Sequence, residues 1–266
     1  MRGADPAYYL YCLAPSSRDI QASATGVDGR HATKLRAYEE SCAAYCEVDL
    51  DEFVGERAEA QLQDLAWLGP RVCRHEVVIE QIMNQAPVLP ARFATLFSSL
   101  DSLDKFVLEH REAIAGFFTE LGGQQEWAVK GLLDRAGALE KLSHPAEEEP
   151  AGSLGGRYLQ ERRIKAQAER ELNQWLRTFC QHVVAALGAH AGGFRERKVV
   201  APVAEATAAE VVLNWAFLIP PEGLQDFRAS LQRFNDVEAF PGLLLALSGP
   251  WPPYSFIPDL SGGAQA

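Results

Sequence analysis

Among residues able to do chemistry, Glu47, Asp49 and Asp51 alternate with Val48 and Leu50, so on a strand the three carboxylates share one face. Oxygen ligands in that arrangement could hold a hard cation; a solvated strand face gives the same alternation and is the simpler expectation. His75-Glu76 opens a run that approaches the zinc pattern H-E-x-x-H, but position 79 is isoleucine. The second ligand is therefore missing, and His75 is expected on a helix surface. His31, His110, His144, His182 and His190 have no serine or cysteine motif such as G-x-S-x-G around them. There is no G-x-x-x-x-G-K run and no G-x-G-x-x-G, and the pairs Gly122-Gly123 and Gly155-Gly156 are too short to cradle phosphate. Cys12, Cys42, Cys46, Cys73 and Cys180 are odd in number, scattered and without C-x-x-C, which points to reduced thiols. No catalytic, cofactor-binding or metal-ligating set emerges, which leaves catalysis without a named nucleophile or base.

Two groups of cations remain. Arg92 lies in the largely apolar extended run L-P-A-R-F, where a charge needs a carboxylate or carbonyl partner; a structural ion pair is expected, with an anion site as the alternative. Arg157, Arg162, Arg163, Lys165 and Arg170 crowd the first half of a long helical pattern whose apolar content there is only Tyr158, Leu159 and Ile164. That half is expected to overhang, either solvated or docking an acidic partner. Near the C-terminus, S-G-P-W-P-P-Y-S-F (248–256) holds Trp251, Tyr254 and Phe256 in a stretch stiffened by three prolines. Pro250 to Pro253 satisfies the P-x-x-P spacing of groove ligands. Adjoining a strand, it reads instead as an extended strap packed back on the body, with buried aromatics serving as a clasp between domains.

The elements that must position these residues follow from periodicity. Ala7–Leu13 and Ala43–Leu50 read as strands, with residues 16–41 between them as loop or short helix. Glu52–Leu68 carries Val54, Ala58, Leu62 and Leu65 at helical spacing up to Gly69, and Pro70 is expected to open a second helix with Val72, Ile79 and Met83 on one face. Pro87 and Pro90 keep 86–97 extended. A helix capped by Asp101 runs to Leu121 and stops at Gly122-Gly123, a natural boundary. Beyond it come a strand (Trp127, Val129 and Leu133 on one face), an acidic loop over 136–153, and a helix from about Gly155 to Ala191 with the stripe Leu172, Leu176, Phe179, Val183 and Leu187. Strands at Phe194–Val200 and Val211–Ile219, a helix with Leu224, Phe227, Leu231 and Phe234, and a last strand at Leu243–Leu247 complete the chain. The order strand, helix, strand, strand, helix, strand is that of a ferredoxin-like unit. The expected architecture is α+β in two domains: an N-terminal mixed domain (1–123), a ferredoxin-like domain with a long first helix (124–249), and a C-terminal strap (250–266).

Composition bounds the role. Across 266 residues the net charge is −11, 47% of residues are hydrophobic, and no apolar run approaches the length of a membrane span. An acidic chain is a poor phosphate neutraliser, which weighs against nucleic-acid binding. No secretory signal is visible in residues 1–13.

Four stretches, L-P-A-R-F (89–93), E-W-A-V-K (126–130), G-R-Y-L-Q-E-R-R (156–163) and S-G-P-W-P-P-Y-S-F (248–256), resemble in order the motifs of the gas vesicle protein F/L family. Two departures stand out: Ala94 where the family usually has glycine, and Gly131 where an apolar residue is usual. The resemblance implies a gas vesicle location and a minor component or assembly factor, without catalysis or cofactor. Its expected partners are the major shell protein and other gas vesicle accessory proteins, not nucleic acid or membrane. The rival reading is a small-ligand regulator or enzyme built on a ferredoxin-like module.

Overall fold

The computed structural model describes residues 6–16, 19–143, 154–199, 209–238 and 242–260. Pro6–Pro15 (β1), the strand richest in aromatics, forms the middle of the first sheet and is buried on both faces, which explains a run without polar alternation. Lys34–Ala37 (β2) and Ser41–Asp49 (β3) follow, the sheet order being β2-β3-β1. A bulge between Leu10 and Cys12 lets Cys12 and Ala14 continue the core face begun by Ala7, Tyr9 and Tyr11. That face packs on Leu65–Met83 (α2), preceded by Glu56–Gln63 (α1), through Val78, Ile79 and Ile82. On β1's other edge pair two short strands, Leu89–Pro90 (β4) and Leu96–Phe97 (β5), antiparallel to it. Leu100–Glu109 (α3) and Arg111–Leu121 (α4) follow, with the Phe106 ring 5.3 Å from that of Phe97.

The second sheet is built from Gln125–Leu133 (β6), then Gly193–Glu196 (β7), Glu210–Ile219 (β8) and Leu243–Trp251 (β9), all antiparallel in the order β7-β8-β6-β9. Between β6 and β7 run Arg135–Leu142 (α5) and the 35-residue Leu154–Gly188 (α6); Leu224–Arg233 (α7) joins β8 to β9. Trp127, Val129 and Leu133 meet Leu213, Trp215, Phe217 and Ile219 under Leu172, Phe179, Val183, Leu187 and Phe227. The period-two and period-3.6 stripes of the sequence are those that form this core. Two compact units result, Met1–Gly123 with Pro252–Ala266, and Gln124–Trp251.

Several expectations require correction. Residues 34–37 form a strand, hidden because β2 is a short, charged edge whose side chains are mostly exposed. Pro70 does not open a helix: α2 begins at Leu65, capped by Asp64, whose side chain accepts from the Ala66 amide. Pro70 sits one turn in, where it forfeits only the bond to the Ala66 carbonyl. Val54, Leu62 and Leu65 are exposed, so of the expected first-helix face only Ala58 is buried. The 101–121 helix is two helices meeting at His110, and its cap is Ser99 in a reciprocal pair with Ser102. Residues 135–142 are helical, not loop; the acidic stretch 147–149 lies outside the described residues. The last strand continues through Pro250 and Trp251, pairing Ser248 with Ala128 and Trp251 with Glu126. The expected strand at 194–200 ends at Glu196.

Two polar devices sit within the second unit. Glu126 is fully buried and ion-paired with Arg197, a contact whose loss on one side strands a buried charge. The Asn235 side chain takes both the amide and the carbonyl of Leu245 at 2.8 and 3.0 Å, closing the outer edge of β9 there. Gly131 lies at the β6–β8 irregularity, and a Cβ on it would come 2.7 Å from Leu213 Cγ. Leu213 thus fills the space an apolar side chain would take. Gly131→Ala is expected to destabilise the chain by about 1–3 kcal/mol, as overpacking does. Urea denaturation of Gly131→Ala, Leu213→Ala and the double variant tests this: strictly additive effects would show that no such clash exists.

Candidate functional site

The most perturbed polar cluster lies in the first unit. His75 is 1% exposed, its ring edge-on to Tyr9 and Phe93 at 5.6 and 5.7 Å between centroids. This reverses its expected place on a helix surface. His75, Val78, Ile79 and Ile82 form one stripe, i, i+3, i+4 and i+7, so the helix turns its histidine into the core with its aliphatic residues.

Every polar valence of that ring is used. Tyr9 Oη lies 2.9 Å from Nδ1, and Tyr254 Oη lies 3.1 Å from Nε2. Tyr254 donates its proton to Glu76 Oε1 at 2.9 Å, so it accepts from Nε2–H. Nδ1 is then the acceptor and takes the Tyr9 hydroxyl proton, while Tyr9 oxygen accepts from the Ala94 amide at 3.1 Å. The network assigns His75 as the neutral Nε2–H tautomer. Burial depresses its pKa from 6.5 to about 4, with a backbone contact from Ala91 acting the other way. Burial likewise raises Glu76, opposed by the Tyr254 hydrogen bond, and raises the Tyr9 and Tyr254 phenols above their ordinary value. Beside this cluster, the Val27 amide donates to Tyr11 Oη at 2.6 Å, which also meets Cys46 Sγ at 3.0 Å. Burial pushes the Cys46 thiol up to about 11 and Cys12 higher still, so neither is a nucleophile at neutral pH.

Ala94, donor to Tyr9, has φ +63°, the left-handed region that glycine occupies without strain. The backbone at this position demands what the departure from the family motif lacks.

The other singled-out residues are placed as follows. Tyr254 anchors Pro252–Leu260 to α2, with Pro252 and Pro253 buried and Phe256 half-buried. Trp251 is 43% exposed at the end of β9, its Nε1–H on Ser248 Oγ at 3.2 Å, so the expectation of a buried ring is wrong for this aromatic. Arg92 is exposed, and no ion pair to it is found among the described residues, against the expected structural pair. It lines an open cleft of about 510 Å3. Arg157 lies on α6 with its side chain outside the described residues. Arg162 and Arg163 are exposed on the same helix, Arg162 standing 5.8 Å from the Tyr158 ring. From Tyr158 to Gln167 no α6 side chain is buried, and Ala168 is the first that is. Glu47 of the carboxylate face pairs with Lys34 at 2.6 Å.

Removing the Tyr254 hydroxyl leaves a buried Nε2–H and a partly buried carboxylate short of a partner. Tyr254→Phe is expected to lower stability by about 1–3 kcal/mol in chemical denaturation; an unchanged midpoint would show that the network carries no weight. Acid acts through His75, which binds a proton more readily unfolded than folded. Its contribution is intact above pH 6.5 and is lost as pH falls towards about 4, on the order of 3 kcal/mol. Glu76, with its raised folded pKa, works in the opposite sense over acid pH. The expected signature is therefore a difference: wild type loses stability over that window faster than His75→Gln, and parallel curves would refute it.

Comparison with known proteins places this geometry. The family model for "Gas vesicle synthesis protein GvpL/GvpF" matches residues 7–258. Gas vesicle protein L of Streptomyces sp. (strain CB03234) is 27% identical over 256 residues, covering 95% of this chain and 93% of that protein. Gas vesicle protein L1 of Halobacterium salinarum is 23% identical over 268 residues, with 95% and 90% covered. The crystal structure of GvpF from Anabaena sp. PCC7120 superposes with a TM-score of 0.70 at 19% identity, covering 95% of this chain and 96% of that one. GvpF from Microcystis aeruginosa gives 0.61 at 20% identity, covering 95% and 99%. At such identities the structural likeness is one of fold.

Proposed function

This chain belongs to the GvpL/GvpF family of gas vesicle synthesis proteins, and on that premise we propose that it is a non-enzymatic accessory or minor component of gas vesicles. In this reading it binds the major shell protein and limits its aggregation while the vesicle forms, working at the vesicle alongside other accessory proteins. The observation that carries the non-enzymatic part is the saturated His75 network. His75, whose pKa burial depresses to about 4, has both ring nitrogens committed to tyrosines of the fold, and neither is left to take a proton from a substrate.

A binding role needs surface, and the structure offers two kinds. The first part of α6 carries Tyr158, Leu159, Arg162 and Arg163 exposed, aromatic and cationic on a chain whose overall charge is −11. The second sheet ends in β7 and β9, edges that can pair with an apolar, strand-forming partner where they are not closed. We read this unit as a ferredoxin-like module with α5 added, supported by the succession β6-α6-β7-β8-α7-β9 and the order β7-β8-β6-β9. Its first helix is longer than the sheet can cover. The uncovered half is the natural place for a partner.

The test is co-purification of the major shell protein on the tagged full chain, together with deletion of the gene in a vesicle-forming host. Retention of the shell protein and loss of vesicles are expected. Arg162→Glu with Arg163→Glu, both exposed, should weaken retention severalfold without moving the melting temperature. Absence of retention by the wild-type chain, with vesicles unaffected by its deletion, would sink the proposal.

A further inference from the structure

The open cleft of about 510 Å3 in the first unit is lined by Leu10, Leu13, Leu89, Phe97 and Phe106 from the sheet and α3, and by Ile257, Pro258 and Leu260 from the C-terminal segment. Its volume falls in the range of small-ligand sites, which are mostly apolar with a few convergent polar groups. The polar side chains on its lining are three: Arg92, Thr95 and Asp259. The Thr95 hydroxyl donates to the Arg92 carbonyl at 2.7 Å, so it is committed within the fold. Asp259 is exposed and has a partner of its own. Arg92 differs from both: its guanidinium is exposed and has no carboxylate partner among the described residues.

We propose that this cleft binds an amphipathic monoanion, with its apolar body against Leu10, Leu13, Phe97 and Phe106 and its anionic head on Arg92. A guanidinium beside apolar walls is a good receptor for a carboxylate or phosphate head, since its planar fork of donors matches the oxygens and it is weakly hydrated. Asp259 on the same lining disfavours a second negative charge, which limits the class to one anionic group. One wall comes from residues just after Tyr254, so the hydroxyl network that holds Tyr254 on α2 also positions the site. The inference does not depend on the assembly role above, since it concerns a different surface and a different ligand.

The test uses decanoate and decanol as probes, titrated into the full chain below the onset of micelles and followed by calorimetry. Decanoate should bind saturably at one site, about tenfold more tightly than decanol. Arg92→Gln, at an exposed position, should remove that preference without changing the melting temperature, and Asp259→Asn should tighten decanoate severalfold. Ile257→Ala with Leu260→Ala should weaken both probes, and Tyr254→Phe should do the same at a temperature where the variant is still folded. Equal affinity for the two probes, or a preference that survives Arg92→Gln, would overturn the anionic head. Absence of saturable binding by either probe would overturn the site.

Discussion

The first unit depends on an imidazole held neutral in an aromatic core. Isolated, a buried histidine is a liability, because both nitrogens lose water and the charged form is expelled. Here two tyrosines from distant parts of the chain, residues 9 and 254, supply one donor and one acceptor, and the liability becomes a fixing point. The tautomer is dictated at the far end. Ionised Glu76 can only accept, so Tyr254 must give it a hydrogen bond and take one from Nε2–H, and Nδ1 is left to receive the proton of Tyr9. One carboxylate thereby orients a chain of hydrogen bonds that ends at the amide of Ala94. Strand, helix, the strained turn at 92–95 and the C-terminal segment are all tied through this ring.

The second unit solves its polar problems differently. Its core is apolar and periodic, and its charges are held by ion pairs between segments: the buried Glu126 with Arg197, and Arg135 with Glu169 and Glu210 across α5, α6 and β8. A sheet and helices whose apolar stripes match one another need no buried hydrogen-bond chain. Their stripes alone specify register, since a slip by one residue would turn Trp215 and Phe217 out of the core.

That contrast explains what could be read from sequence. Where one residue type repeats at a fixed period, as in Leu213–Ile219 or Leu172–Leu187, the element and its buried face were legible and are the ones observed. Charged edge strand β2 was not legible, since its side chains are solvated and show no alternation. His75 was misplaced for a related reason. A polar residue on an apolar stripe is invisible to a hydrophobicity count, yet the neighbours at 78, 79 and 82 marked its face, and a stripe drawn through Val78 and Ile82 would have included it. Its partners could not have been found at all. Tyr9 and Tyr254 are separated from it by 66 and 179 residues, and no local spacing encodes such pairs.

Functional capacity in such a molecule lies in what the fold leaves uncommitted. A perturbed pKa is an argument for chemistry only when the group retains a valence for a substrate, and His75, Tyr254 and Tyr9 retain none. Arg92 and the α6 arginines at 162 and 163 are exposed and keep charges for which the described residues provide no carboxylate. The short run 89–94 holds both conditions side by side. The amide of Ala94 is locked to Tyr9 at the expense of a left-handed backbone, while two residues earlier a guanidinium is left exposed beside apolar walls. Rigid backbone next to an uncommitted charge is what a recognition site requires, because the ordering that binding would otherwise demand has already been done in folding.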